Sequence, residues 1–343
     1  MLLPYSTVFA VEPNYYTILP PVVRPFGPIT LPIKLSKIIT LHALLALDQQ
    51  QSDLALEDIK ANYTLASGIR RDPSLVGGLV AVGILAISHT ALYDGLACHR
   101  WNDVQLAEVE HALDPLNLLD DYRFSVRSEA AESLANLEFY KKSAAGNFVG
   151  EWFSLRDENV PFVFWAAPPW PSGWWDQNIS KLVAFHFQEL ATVDPQTRLA
   201  FPKINLAIKK QIDEESNKWD GYAPWNIWFV MAASGQTEMM LKFAQAQVLI
   251  DEARIACALE RYRLAHGVYP GSLDVLVPEY IEVLPHDIMN GQPFHYQFHP
   301  DGTYLLYSVG WNQTDDGGKI AYKKDNPKVM DYDEGDWVWP MPK

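Results

Sequence analysis

Leu259-Glu260-Arg261-Tyr262-Arg263-Leu264-Ala265-His266-Gly267-Val268-Tyr269-Pro270 is the stretch on which the reading of the fold turns. Upstream, Val248, Ile255, Leu259 and Tyr262 recur at spacings of seven, four and three, which places them on one face of an amphipathic helix over about 237–265. Asp251 with Arg254, and Glu260 with Arg263, are spaced to pair on its solvent side. Gly267 ends the helix as a left-handed residue, and Pro270 prevents resumption. Ser272 is placed to cap a short helix reaching about Val277. Beyond it the period changes to two: Phe294, Tyr296 and Phe298 alternate with His295, Gln297 and His299. His299-Pro300-Asp301-Gly302 reads as a turn, and 303–309 as the partner strand of a hairpin.

Working back toward the N-terminus, helices are expected at 35–49 and 52–69, with Ser52 as an N-cap. Asp72-Pro73-Ser74 starts another, Asn102 caps one over 105–113, and Asp114-Pro115 opens one extending to about Lys142. Further helices are expected at 178–191 and 202–216. No clean repeat period links them, so they form an irregular helical layer. The fold class is α+β, mainly α. The expected organisation is an extended proline-rich segment over 1–34, a helical domain over 35–235 with an aromatic-rich loop at 146–177, and an α+β domain over 236–343.

Composition narrows the function classes. The 343 residues carry a net charge of −15, which repels phosphate backbones and argues against nucleic acid as a partner. Two cysteines, Cys98 and Cys257, fall inside predicted helices and read as buried thiols, not a disulfide framework. The most apolar run, 75–87, is shorter than the roughly 20 residues needed to span a bilayer and reads as a core helix, so no transmembrane segment is expected. No basic start followed by an apolar run marks a secretory signal. Aromatics are 13% of the chain, and eight of the twelve tryptophans lie between Trp152 and Trp228.

The order of the C-terminal parts resembles the globular domain of the major, G-type pseudopilins of type II secretion. The matching pieces are the long helix, Tyr262 to Pro270, Pro285 with Asn290-Gly291-Gln292-Pro293 and Tyr296, and Leu306-Tyr307-Ser308-Val309-Gly310. Pseudopilins open on a short basic leader and a very hydrophobic helix. Here a mostly helical domain stands in that place, so polymerisation as a pilin is not expected. The whole chain also resembles large planctomycete and verrucomicrobial proteins of no assigned activity, which share Trp101-Asn102-Asp103…Leu106 and Ala258 to Gly267. Those proteins tend to carry a membrane anchor; beside them this chain looks shortened at its front. The resemblance implies a location in the cell envelope or periplasm, with the anchor or signal absent from this chain.

It also implies calcium in the loop after Leu306-Tyr307-Ser308-Val309-Gly310. The corresponding ligands are Ser308, Asn312, Asp315 and Asp316, with Asp333 or Asp336 of the tail closing the shell. Calcium takes six to eight hard oxygen ligands on a flexible loop. From the residues alone, Asp315-Asp316-Gly317-Gly318 reads first as a solvated turn, because oxygen-rich turns are common and the ligand spacing is loose. His286, His295 and His299 are spaced too widely along extended chain to share one metal. Glu108 and His111 are a single Glu-x-x-His without the second copy that a di-iron bundle needs. No nucleophile elbow, phosphate loop, dinucleotide fingerprint or zinc-protease motif occurs.

Three functions follow as expectations. The first is a non-enzymatic, envelope-associated protein acting through contacts with a protein partner. The second is a carbohydrate- or peptide-binding module whose aromatic loop presents Trp170, Trp174 and Trp175. The third is an enzyme of unknown class with a site between the domains.

Overall fold

The computed structural model describes residues 30–142, 171–218, 223 and 225–340, with backbone only for 139, 140 and 142. The expected extended segment over 1–29 and the aromatic run up to Trp170 lie outside the described residues. The fold is α+β and mainly α. Helices α1 (Thr30–Asp48), α2 (Ser52–Ile69), α3 (Leu75–Ala97), α4 (Asp103–Leu113), α5 (Leu118–Lys142), α6 (Ser172–Leu190), α7 (Pro202–Ser216), α8 (Ile227–Gln236) and α9 (Met239–His266) account for most of it. The strands are short: β1 (Val193–Asp194) and β2 (Leu199–Ala200) form a ribbon, β3 (His295–Phe298), β4 (Tyr304–Ser308) and β7 (Trp337–Trp339) a three-stranded sheet in the order β3-β4-β7, and β5 (Ile320–Tyr322) with β6 (Met330–Gly335) a second ribbon. All pairings are antiparallel.

Two compact units emerge, and they do not follow chain order. The larger contains the described parts of 30–125, 191–205 and 238–340; the smaller contains those of 126–142, 171–190 and 206–237. A division near residue 235 would separate the C-terminal domain from every earlier helix. Instead α9 is packed by α3 and α4, and touches β4 and β7. The cause is the composition of α9. From Met240 to Glu260 nearly every residue is buried, including Gln247, Asp251, Glu252 and Arg254. The solvent face expected for this helix does not exist, and most of its charged groups are satisfied internally. Asp251 accepts from Arg198 (2.8 Å) and Gln247 (3.1 Å), not from Arg254. Arg254 reaches Glu110 (2.9 Å) and Asp114 on α4 and the residue after it. Only the Glu260–Arg263 pair forms as expected, with Glu260 buried.

The local signals explain the helix limits. Asn102 and Gln105 form a reciprocal capping box, with the Gln105 amide donating to Asn102 Oδ1 (2.9 Å) and the Asn102 amide to Gln105 Oε1 (3.0 Å). Ser74 caps α3 through the Gly77 amide. Gly267 has φ +80° and closes α9 in the left-handed conformation. Ser52 does not cap α2. It is the first helical residue, and its hydroxyl accepts from Gln105 Nε2 (3.0 Å). Ser272 likewise makes no capping bond; a four-residue 3₁₀ turn follows it.

Four further expectations are corrected. The extended N-terminal segment is expected to reach residue 34, but α1 begins at Thr30. The aromatic loop is expected to reach residue 177, but α6 begins at Ser172, because Pro171 precedes a stretch with no internal proline. Cys98 is exposed at the C-terminus of α3, while Cys257 is buried. The apolar run 75–87 is likewise only part of a 23-residue helix, which continues through buried Ser88 and His89. Both α1 and α3 are long and apolar enough to cross a membrane; 67% of the apolar window of α3 is buried in the protein, against 28% for α1. Burial pushes the His89 pKa down to about 4, so the imidazole is neutral in this core.

The smaller unit has its own core of Leu137, Leu182, Phe185, Ile208, Ile212, Phe229, Val230 and Ala233. Trp175 packs against that cluster and stacks on Trp228 at 6.4 Å.

Candidate functional site

The loop between β4 and β5 is organised by one buried carboxylate. Asp336 lies between β6 and β7 and accepts backbone amides from Asp316 (3.0 Å), Gly318 (2.7 Å) and Lys319 (3.3 Å). Burial pushes its pKa up, against the pull of those three amides. Gly310 starts the loop with φ +66°, and a side chain there would stand 2.4 Å from the Gly335 carbonyl. Only glycine lets the two chain segments come that close.

Within this frame the oxygen-bearing residues divide. Asn312 donates to Asp316 Oδ2 (3.2 Å) and accepts the Thr314 amide (3.0 Å). Asp315 accepts from the Gly317 amide (2.9 Å) and Tyr307 Oη (3.0 Å), and these two bonds hold its pKa below the usual range. Its second oxygen lies 3.6 Å from His295, whose ring stacks on Tyr307 at 4.8 Å. Asn312 and Asp316 are thus joined on the loop, while the Asp315 carboxylate turns to Tyr307 and His295. Ser308 faces inward: it is buried, accepts the Gly310 amide (3.1 Å) and turns toward the Asp287 carboxylate. Asp333 is exposed on β6, its amide held by Asp331 (3.3 Å). Among the described residues no three His, Cys, Asp or Glu side chains converge on a point where a metal ion could be held. Any cation at this loop would therefore rely on Asn312, Asp315 and Asp316 together with backbone carbonyls and water, with Asp336 as the organiser of the loop.

The three histidines are dispersed. His286 bonds to the Thr197 carbonyl (3.1 Å), His295 lies on Tyr307, and His299 is at the hairpin turn. Glu108 accepts from Lys60 (3.3 Å) at the surface. Of the aromatic candidates, Trp170 is outside the described residues. Trp174 and Trp175 lie on the first turn of α6, half-buried, with Trp174 5.5 Å from Trp225.

Sequence reasoning overlooked a second cluster beneath the loop. Glu252, on α9, is fully buried, and neither carboxylate oxygen makes a hydrogen bond. The Ser308 amide lies near enough to favour its ionised form slightly, but without hydrogen-bond geometry. Burial first, and then the Asp287 and Asp251 carboxylates, push its pKa well above the usual range. Asp287 accepts the Met289 and Val309 amides (both 2.9 Å) and is itself raised by burial. One sequence signal pointed here: the i±3 and i±4 neighbours of Glu252 are Val248, Leu249, Ile255 and Ala256, all apolar.

The two segments that carried the wider resemblance meet in space. Asp103 accepts from Arg261 (2.8 Å), and Glu260 gathers His99 (2.8 Å), Arg263 (2.7 Å) and Tyr269 Oη (2.7 Å). Burial raises the Glu260 pKa, but these donors outweigh it and hold the group ionised. Comparison with protein-family models, with curated proteins and with solved structures returns no match.

Proposed function

We propose that this is a non-enzymatic protein of the cell envelope that works through protein–protein contacts, with calcium stiffening its C-terminal loop. The observation that carries the reading is the Asp336 clasp. It fixes the amides of Asp316, Gly318 and Lys319, and so pins a loop that carries the joined side chains of Asn312 and Asp316, with the exposed Asp315 next in sequence. The likeness of the C-terminal order to G-type pseudopilins supports the envelope setting and the choice of calcium. The test is thermal unfolding of the whole chain in EDTA and in millimolar calcium, for the wild type and for Asp315→Ala/Asp316→Ala. A ligand bound only by the native state at 100 times its Kd stabilises by about 2.7 kcal/mol. The wild type is expected to gain melting temperature in calcium and the double variant to gain none; equal curves for the wild type in both buffers refute the calcium assignment. The half-buried Trp174–Trp225 pair favours a second reading, a carbohydrate- or peptide-binding surface, which tryptophan fluorescence under ligand titration would detect.

A further inference from the structure

We infer that the outward face of α1 seats this protein on an anionic lipid bilayer, with the helix lying in the interface and not crossing it. Leu31, Leu35, Ile38, Leu41 and Leu45 are 57%, 44%, 65%, 59% and 52% exposed. Their spacings of four, three, three and four residues put all five on one stripe. The opposite face, which packs on α2 and α3, is made of Ser36, Thr40, Ala43, Ala46 and Leu47. Thr40 accepts a buried hydrogen bond from Asn62 (2.9 Å). The polarity is the reverse of an ordinary surface helix: apart from Leu47, small and hydroxyl side chains face the protein, and five large aliphatic ones face outward, with Lys34 and His42 among them. That is the arrangement of a helix whose outer solvent is hydrocarbon.

Area and charge choose among occupants. The stripe exposes roughly 500 Å² of apolar side chain, at the upper end for a patch on a monomer. A stable dimer buries about 800 Å² on each partner, so a second copy of this stripe falls short. Lys34 and Lys37 are exposed beside Leu35 and Ile38, placed for anionic headgroups although the chain as a whole is acidic. Crossing the bilayer is disfavoured by α2. It packs along α1 and exposes Asp53 and Glu57, which an embedded α1 would carry into hydrocarbon. This surface is separate from the C-terminal loop and does not depend on calcium.

The experiment is co-flotation of the full chain with vesicles, in EDTA, so that its outcome is independent of the calcium reading. Vesicles of phosphatidylcholine alone are compared with mixed phosphatidylcholine–phosphatidylglycerol vesicles. The wild type is expected to float with the mixed vesicles. Ile38→Glu/Leu41→Glu should bind at least about tenfold more weakly while melting at the wild-type temperature, since both side chains are already outside the core. Lys34→Glu/Lys37→Glu should lose roughly tenfold on the mixed vesicles only. Absence of wild-type flotation with either vesicle overturns the inference. So does a wild-type dimer by light scattering that Ile38→Glu/Leu41→Glu converts to monomer, which would give the face to a second copy. A large fall in melting temperature in that variant, with no flotation of the wild type, would assign the face to residues 1–29 and overturn it equally.

Discussion

Glu252→Gln isolates the titration of one buried carboxyl. In the folded protein Glu252 is surrounded by apolar neighbours and the Asp287 and Asp251 carboxylates, and its oxygens make no hydrogen bond. In the unfolded chain it ionises near pH 4.3. The folded pKa is raised, so above pH 4.3 the native state holds a proton that the unfolded state has released. Stability conferred by that proton is complete below pH 4.3 and is lost as pH rises toward the folded pKa. The slope is −2.303RT per proton, about 1.4 kcal/mol lost per pH unit across that window. The glutamine side chain of the variant carries no titrating proton, so its contribution is flat. The difference in unfolding free energy between wild type and Glu252→Gln should therefore change by about 1.4 kcal/mol per pH unit, in favour of the variant, as pH rises from about 5 toward the raised folded pKa. Denaturant unfolding of both proteins in matched buffers, from mildly acidic to neutral pH, measures it. The absolute offset between the two proteins depends on how the new amide packs, but the slope does not. Parallel curves for the two proteins would show that Glu252 titrates alike in both states, and would refute its burial without a partner.

Two other substitutions test the packing of α9 and its neighbours. Gly95→Ala would bring a methyl group to 2.2 Å from the Trp101 indole nitrogen, which is buried and donates to the Leu92 carbonyl (3.2 Å). Displacing that ring should cost about 1–3 kcal/mol in chemical denaturation and red-shift the tryptophan emission; an unchanged midpoint would contradict the contact. Arg254→Met removes the cation that Glu110 and Asp114 share inside the larger unit. It should destabilise by about 3 kcal/mol at neutral pH, with a smaller loss in Arg254→Met/Glu110→Gln, because the second change relieves the stranded carboxylate. Additive losses in that cycle would refute the pairing.

What the sequence determined by itself was local. The cap at Asn102, the left-handed stop at Gly267, and the hairpin of β3 and β4 each depend on residues close together in the chain, and each left a readable signal. The loop candidates Asn312, Asp315 and Asp316 were found the same way, as oxygen-bearing residues in one short stretch. Interactions between residues far apart in the chain were not legible. The clasp of Asp336 on the amides of Asp316 to Lys319 leaves no mark on residue type, because any backbone could have been the donor. The pairing of Arg254 with Glu110, 144 residues away, replaced the local partner Asp251 that helical spacing suggested. Periodicity also left burial open. In α9 it suggested a solvent face where nearly every side is covered, and in α1, for which no face was read from the sequence, an aliphatic stripe points outward. Spacing along a helix states which residues share a face; only the packing of other elements decides which face meets protein, water or another phase.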